Sequence, residues 1–174
     1  MLINFLFFQA GWFACVLGAA NGMFWLGPFV VLVVSFYYFL VRSNFIREFF
    51  FILIVSFIGL LWENLIIAFD IVQYPSDKQI IGLAPLWIVA MWISFSTTID
   101  ISLSWLNGRK VLSTLFGFIG GPLAFYGGEK LGAVDFPDRD LSFLVLAIGW
   151  GVIFPLLFYI SNSLDRFFNK DNRV

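Results

Sequence analysis

The chain has 174 residues, 61% of them hydrophobic and 12% charged, with a formal net charge of −1 and a mean hydropathy of +0.95. Soluble domains are about half apolar and about a quarter charged, so this chain has too few polar side chains to cover a water-facing surface, and its charge offers no footprint for nucleic acid. It has no histidine and one cysteine, Cys15, which excludes an imidazole base, a histidine-ligated metal, an internal disulfide and a thiolate zinc cluster.

A bilayer core about 30 Å thick calls for about 20 apolar residues per helix. Six segments, at about 3–20, 23–41, 48–70, 84–105, 111–126 and 142–160, meet or approach that need. Their apolar runs are continuous rather than alternating, which excludes a closed barrel. The expected fold is an all-α integral membrane protein, with one transmembrane domain over residues 1–174 built as a six-helix bundle.

The first segment has no Lys or Arg before Trp12, so it lacks a basic leader and is expected to stay as a helix. Ala10, Ala14 and Gly18 form a ridge of small residues with Gly11 and Cys15 beside it. Cys15 therefore reads as a packing residue rather than a nucleophile. Asn21 and Gly22 form a tight turn into the second segment.

The third segment places Ser56, Gly59, Glu63 and Asp70 on one helical face, with Asn64 next to it. The fourth, ISFSTTIDISLSW, places Ser96, Thr97, Asp100 and Ser104 within an arc of about 100°. Polar groups in hydrocarbon turn toward the bundle interior or a wet cavity, so the two stripes are expected to face each other or a shared pocket. At 1.5 Å per residue, Glu63 lies about 20 Å from the start of its helix and Asp100 about 22 Å from the start of the antiparallel neighbour. In a core of about 30 Å the two carboxyls are then about 10 Å or more apart, which argues against an acid pair acting across one bond. Glu63 is the candidate catalytic residue, as proton donor or headgroup ligand, and Asn64, Ser96, Thr97 and Asp100 are candidate substrate-binding residues. The competing structural reading has Glu63 satisfied by Asn64, Ser or Trp donors and Asp100 by its Ser and Thr neighbours.

The fifth segment carries a second small-residue ridge, Ser113, Gly117 and Gly121, and then Pro122, which predicts a kink or break. The ridges of segments one and five are candidate contacts with other membrane proteins or a second copy. AVDFPDRDL has three carboxylates, but their spacing matches no calcium loop. Asp138 or Asp140 reads better as the N-cap of the last helix. Trp25, Trp87, Trp105 and Tyr159 fall near segment ends and read as interfacial anchors.

Six crossings put both termini on one side. Arg42, Arg47, Arg109, Lys110, Arg166, Lys170 and Arg173 share that side, against Lys78, Lys130 and Arg139 on the other, so both termini are expected to be cytoplasmic. The opposite side carries Asp70, Asp77, Glu129, Asp135, Asp138 and Asp140.

Four stretches, NFLFFQAGWFACVLGAANG, WLGP, GLAPLWIVAMWISFSTTIDISLSWL and GGPLAFYGGEKLGA, together resemble the bacterial membrane-protein family known as domain of unknown function 2878. The resemblance covers most of the chain and implies a small multi-helix inner-membrane protein without an established activity. It also implies an acidic residue near Glu63 and, where this chain has Asp100 and Ile101, an Asn-His pair. Its members' frequent place near lipid-modifying genes implies a lipid-linked role. A more distant likeness, WEN followed by APLWIVAMW, is to membrane enzymes of carotenoid biosynthesis.

The expected function is that of a lipid-associated inner-membrane protein that holds or processes an apolar substrate between the third and fourth segments. Membrane lipids are its partners and no cofactor is called for. An accessory subunit without catalysis and a small proton-coupled carrier are the alternatives.

Overall fold

The computed structural model describes residues 1–75 and 83–170, apart from the side chains of 169 and 170. Lys78, Asp77 and Arg173, which enter the charge count above, lie outside the described residues. Among the described residues six helices follow one another: α1 (Leu2–Ala20), α2 (Leu26–Val41), α3 (Phe45–Ala68), α4 (Leu86–Ile99), α5 (Lys110–Lys130) and α6 (Arg139–Lys170), with a short 3₁₀ turn at Ser104–Leu106. The β pairing among the described residues is a single bridge between Gln73 and Asp135.

Helices α1, α3, α5 and α6 are long and apolar enough to cross a membrane. Helix α2 has 16 residues and α4 has 14, or about 24 and 21 Å at 1.5 Å per residue, short of a core of about 30 Å. Leu32, Val111 and Val152 are among many apolar side chains turned outward. Such an apolar exterior suits a bilayer as solvent.

Local chemistry fixes the helix ends. Helices α1, α3 and α5 close with the same paired backbone bonds, such as Met23 N to the Gly18 carbonyl (2.7 Å), Ile71 N to Ile66 (2.8 Å) and Ala133 N to Gly128 (2.9 Å). This closure needs a residue with positive φ. Gly22 and Gly132 supply it in α1 and α5, and Asp70 (φ 55°) supplies it in α3. Asp70 is thus an exposed turn residue beyond the helix and not part of a helical stripe. Asn44 caps α3 by accepting from Arg47 N, and Asp138 caps α6 by accepting from Leu141 N, as its position before the helix led one to expect.

Helix α4 stops at Ile99, earlier than the expected 105. Ser96, Thr97 and Thr98 each donate to the carbonyl three residues back. Such back-bonding competes with continued helix. The chain then turns at Asp100, with Ile101 N and Leu103 N both on the Thr98 carbonyl. Helix α5 does the opposite and runs through Pro122 to Lys130 without ending.

The α5 ridge is used within the chain, and so are Gly11, Cys15 and Gly18 of α1, whereas Ala10 is exposed. A Cβ on Gly117 would lie 2.2 Å from the Trp150 carbonyl oxygen, and one on Gly121 would lie 2.3 Å from the Trp150 ring, so α5 lies directly along α6. Helix α1 packs on α2 through Cys15, whose Sγ would be 2.6 Å from a Cβ on Gly27. It packs on α4 through Gly11, which faces the Ser94 hydroxyl.

Candidate functional site

Glu63 lies one turn beyond Gly59 on α3. The missing side chain at Gly59 lets the Trp92 indole of α4 lie against the α3 backbone, where a Cβ would be 2.1 Å from the ring. From there Trp92 Nε1 donates to Glu63 Oε1 at 3.0 Å. The turn at Asp70 folds the chain back, and Tyr74 Oη donates to Oε2 at 2.5 Å. Both carboxyl oxygens of a fully buried glutamate are therefore satisfied by uncharged donors. Burial, and then the charge and hydrogen bond of Glu63, hold the Tyr74 phenol well above its ordinary pKa, so it remains a donor.

Glu63 lines a cavity of about 220 Å³. Phe5, Phe8 and Trp12 of α1 form one wall, Trp87, Met91 and Trp92 of α4 a second, and Trp150 and Phe154 of α6 close the back. On the α5 wall, beside Phe116 and Phe125, the small residues Gly120, Gly121, Ala124 and Gly128 leave the space open. An added Cβ at Gly120 would meet no heavy atom within 4 Å. An apolar cavity of about 150 Å³ in another protein holds benzene, so this one is of ligand size. Glu63 is the one ionisable side chain among its described lining residues.

The cavity sits among α1, α4 and α5 rather than between α3 and α4. Of the sequence candidates, only Glu63 lines it. Asn64 Oδ1 accepts from Ala84 N at 3.0 Å and its Nδ2 donates to the Leu60 carbonyl, so it ties the loop to α3. Ser96 and Thr97 are spent on carbonyls of their own helix. Asp100 belongs to a separate cluster at the far end of α3.

That cluster centres on Arg47, which is 3% exposed. Its Nη1 reaches Asp100 Oδ2 at 2.6 Å and Glu48 Oε2 at 3.2 Å, its Nε reaches Asp165 at 2.9 Å, and its Nη2 reaches the Ser161 hydroxyl and carbonyl. Ser161 Oγ in turn donates to Asp100 Oδ1 at 2.6 Å. Glu48 also receives Arg42 Nε at 2.8 Å and the Tyr38 hydroxyl. The cluster fastens the ends of α2, α3, α4 and α6. Arg47 and Glu63 are sixteen positions apart on α3, about 24 Å of helix, so the two polar centres are distinct. No group of three His, Cys, Asp or Glu among the described residues is placed to hold a metal ion.

The sequence reading missed three residues that line the cavity, Trp87, Trp92 and Trp150, and Tyr74, which holds Glu63. Trp87, expected as an interfacial anchor, is 2% exposed and packs edge-on against Tyr74 at 5.4 Å. Its position near a helix start says nothing about which face of the bundle it occupies. Trp25, Trp105 and Tyr159, read the same way, are exposed. The indole nitrogens of Trp87 and Trp150 meet no acceptor among the described residues.

One protein-family model, described as "Protein of unknown function (DUF2878)", matches residues 1–156, which reach from α1 into α6. No curated protein and no solved structure matches the chain.

Proposed function

The chain belongs to the family of unknown function DUF2878, and from that premise we propose that it is a multi-pass protein of the bacterial inner membrane that holds an apolar molecule in the cavity between α1, α4 and α5. The cavity itself carries the reading: a ligand-sized space, walled mainly by aromatic side chains, with one carboxyl in its lining. The expected orientation, with both termini cytoplasmic, has support in the charges. Arg42, Arg109, Lys110 and Arg166 gather near the ends of α2, α5 and α6 that lie with the Arg47 cluster, against Lys130 and Arg139 at the other end. Helices α2 and α4 then cross with help from their flanking segments, which is tolerated where that backbone is buried in protein. A carrier would need a polar path from Glu63 to the Arg47 cluster. Phe51, Val55 and Phe95, all buried, lie on the two helices between those centres.

A second reading follows from Glu63 alone. A carboxyl that faces an apolar cavity is placed to exchange a proton with a bound molecule, and Tyr74 and Trp92 hold it in one position. On this reading the protein processes what it holds.

The test is retention of a ligand. Wild type and Gly120→Phe are purified in mild detergent, and small molecules bound to each are identified by mass spectrometry. A discrete compound retained by wild type and lost from the variant, at unchanged unfolding temperature, supports the holding reading. Identical bulk-lipid profiles, with no compound raising the wild-type unfolding temperature, would refute it. Conversion of the retained compound by wild type but not by Glu63→Gln would establish the catalytic reading.

A further inference from the structure

The cavity is not sealed along its length. Helix α1 packs on α2 and α4, and α5 packs on α6, but α1 and α5 do not form an extensively packed pair. They approach at one end, where a Cβ on Gly127 would lie 3.2 Å from the Trp12 ring. Toward the other end the lining residues Phe5 of α1 and Phe116 of α5 are 46% and 42% exposed. Leu6 and Leu115 beside them are exposed too. The seam therefore opens on an apolar helix surface, the kind of surface that faces hydrocarbon.

The cavity is also long. Its α4 wall runs from Trp87 to Thr98, about 16 Å at the helical rise. That is close to half of a bilayer core of about 30 Å, the depth of one leaflet. A molecule lying in it would be parallel to the lipid chains outside.

Its lining offers a ligand little polar contact. Thr98, at the mouth end, has its hydroxyl on the Phe95 carbonyl. The indole nitrogens of Trp87 and Trp150 are buried away from the open space. No cation is among the described lining residues, and both Glu63 oxygens are already engaged. A charged headgroup is not matched; a plain hydrocarbon chain is.

Resting on the holding function proposed above, we infer that the cavity is a chain groove filled sideways from the bilayer through the α1–α5 seam, and that its occupant is a single hydrocarbon chain, acyl or polyprenyl. The chain enters at Phe5 and Phe116 and lies along Gly120 and Ala124 toward the Glu63 end.

The test uses the full chain in phosphatidylcholine nanodiscs with two photoactivatable probes, a hexadecanol and a farnesol, each carrying a diazirine in its chain. Saturable labelling of peptides containing Phe5, Phe8, Phe116 and Gly120 is expected, competed by unlabelled hexadecanol or farnesol. The stronger competitor identifies the chain as acyl or polyprenyl. Gly120→Phe, and independently Ala124→Phe, should cut labelling at least about tenfold. Unsaturable labelling spread over the outer faces of α2 and α6, untouched by both filling variants, overturns the groove. If a water-soluble compound occupies the cavity and the chains do not compete with it, this inference falls while the holding function stands. If nothing saturable binds and nothing co-purifies, both fall.

Discussion

Glu63 and Trp92 meet across the α3–α4 interface, with the indole N–H 3.0 Å from the carboxyl oxygen, because Gly59 leaves no side chain between them. The same carboxyl takes the Tyr74 hydroxyl on its other oxygen. Glu63→Gln keeps one acceptor for Trp92 and lets the amide donate to Tyr74 once that hydroxyl turns away, so it should cost only about 1 kcal/mol. Glu63→Leu leaves two buried donors unpaired and should cost about 2–4 kcal/mol. Adding Tyr74→Phe to Glu63→Leu should recover part of that loss, a coupling of about 0.5 kcal/mol or more. Unfolding of Glu63→Gln, Glu63→Leu, Tyr74→Phe and the double variant in one detergent checks this; strict additivity would mean that the hydrogen bonds are not coupled.

Two glycines that look alike in the sequence should behave differently. An alanine at Gly59 would put its Cβ 2.1 Å from Trp92. Trp92 would have to leave both Glu63 and its stack on Trp150, which is 4.9 Å away and 7° from parallel. The expected cost is at the upper end of overpacking, about 3 kcal/mol or more. Gly120→Ala meets open space, and in a helix the change from glycine is neutral to stabilising by up to about 1 kcal/mol. Thermal unfolding of the two variants side by side decides it, and similar losses in both would contradict the packing described.

Asp70 closes α3 in the left-handed conformation that glycine fills in α1 and α5. Asp70→Gly gives up an exposed bond from Gln73 (2.7 Å) but relieves strain. The net expectation is a gain of up to about 1 kcal/mol. Asp70→Val, a β-branched residue at positive φ, should cost about 1–3 kcal/mol. A higher unfolding temperature for the valine variant than for the glycine variant would show that this turn is not the constraint.

The helical class and the number of helices were legible because hydrocarbon demands long apolar runs, and the runs are there. The burial of Glu63 was legible for the same reason. Its partners were not: Tyr74 stands 11 positions on, beyond a turn, and Trp92 stands 29 positions on, in another helix. Ser96 and Thr97 show why a polar stripe misleads. Hydroxyls in a helix can satisfy themselves on their own backbone, which leaves nothing for a ligand. In the sequence Arg47 counts only as one of the charges on the side of the termini. Only the fold brings Asp100 and Asp165 to Arg47 and buries it.

That cluster gives the sharpest ranking. Arg47 is the hub, and its loss strands carboxylates that it now neutralises, with Glu48 buried and Asp100 only 14% exposed. Breaking a buried pair from one side costs about 3–5 kcal/mol, and Arg47→Met should fall in that range or fail to accumulate. Asp100→Asn keeps an acceptor for Arg47 and for Ser161, so its cost should be smaller, about 1–3 kcal/mol. Asp165 is 51% exposed, and Asp165→Asn should cost no more than about 1 kcal/mol. Arg47→Lys should not rescue, because one ammonium cannot span the Nε, Nη1 and Nη2 contacts that reach four residues. Unfolding temperatures in the order Asp165→Asn, Asp100→Asn, Arg47→Met, from highest to lowest, are expected. A lysine variant as stable as wild type would mean that charge alone, without the guanidinium fork, holds these helix ends together.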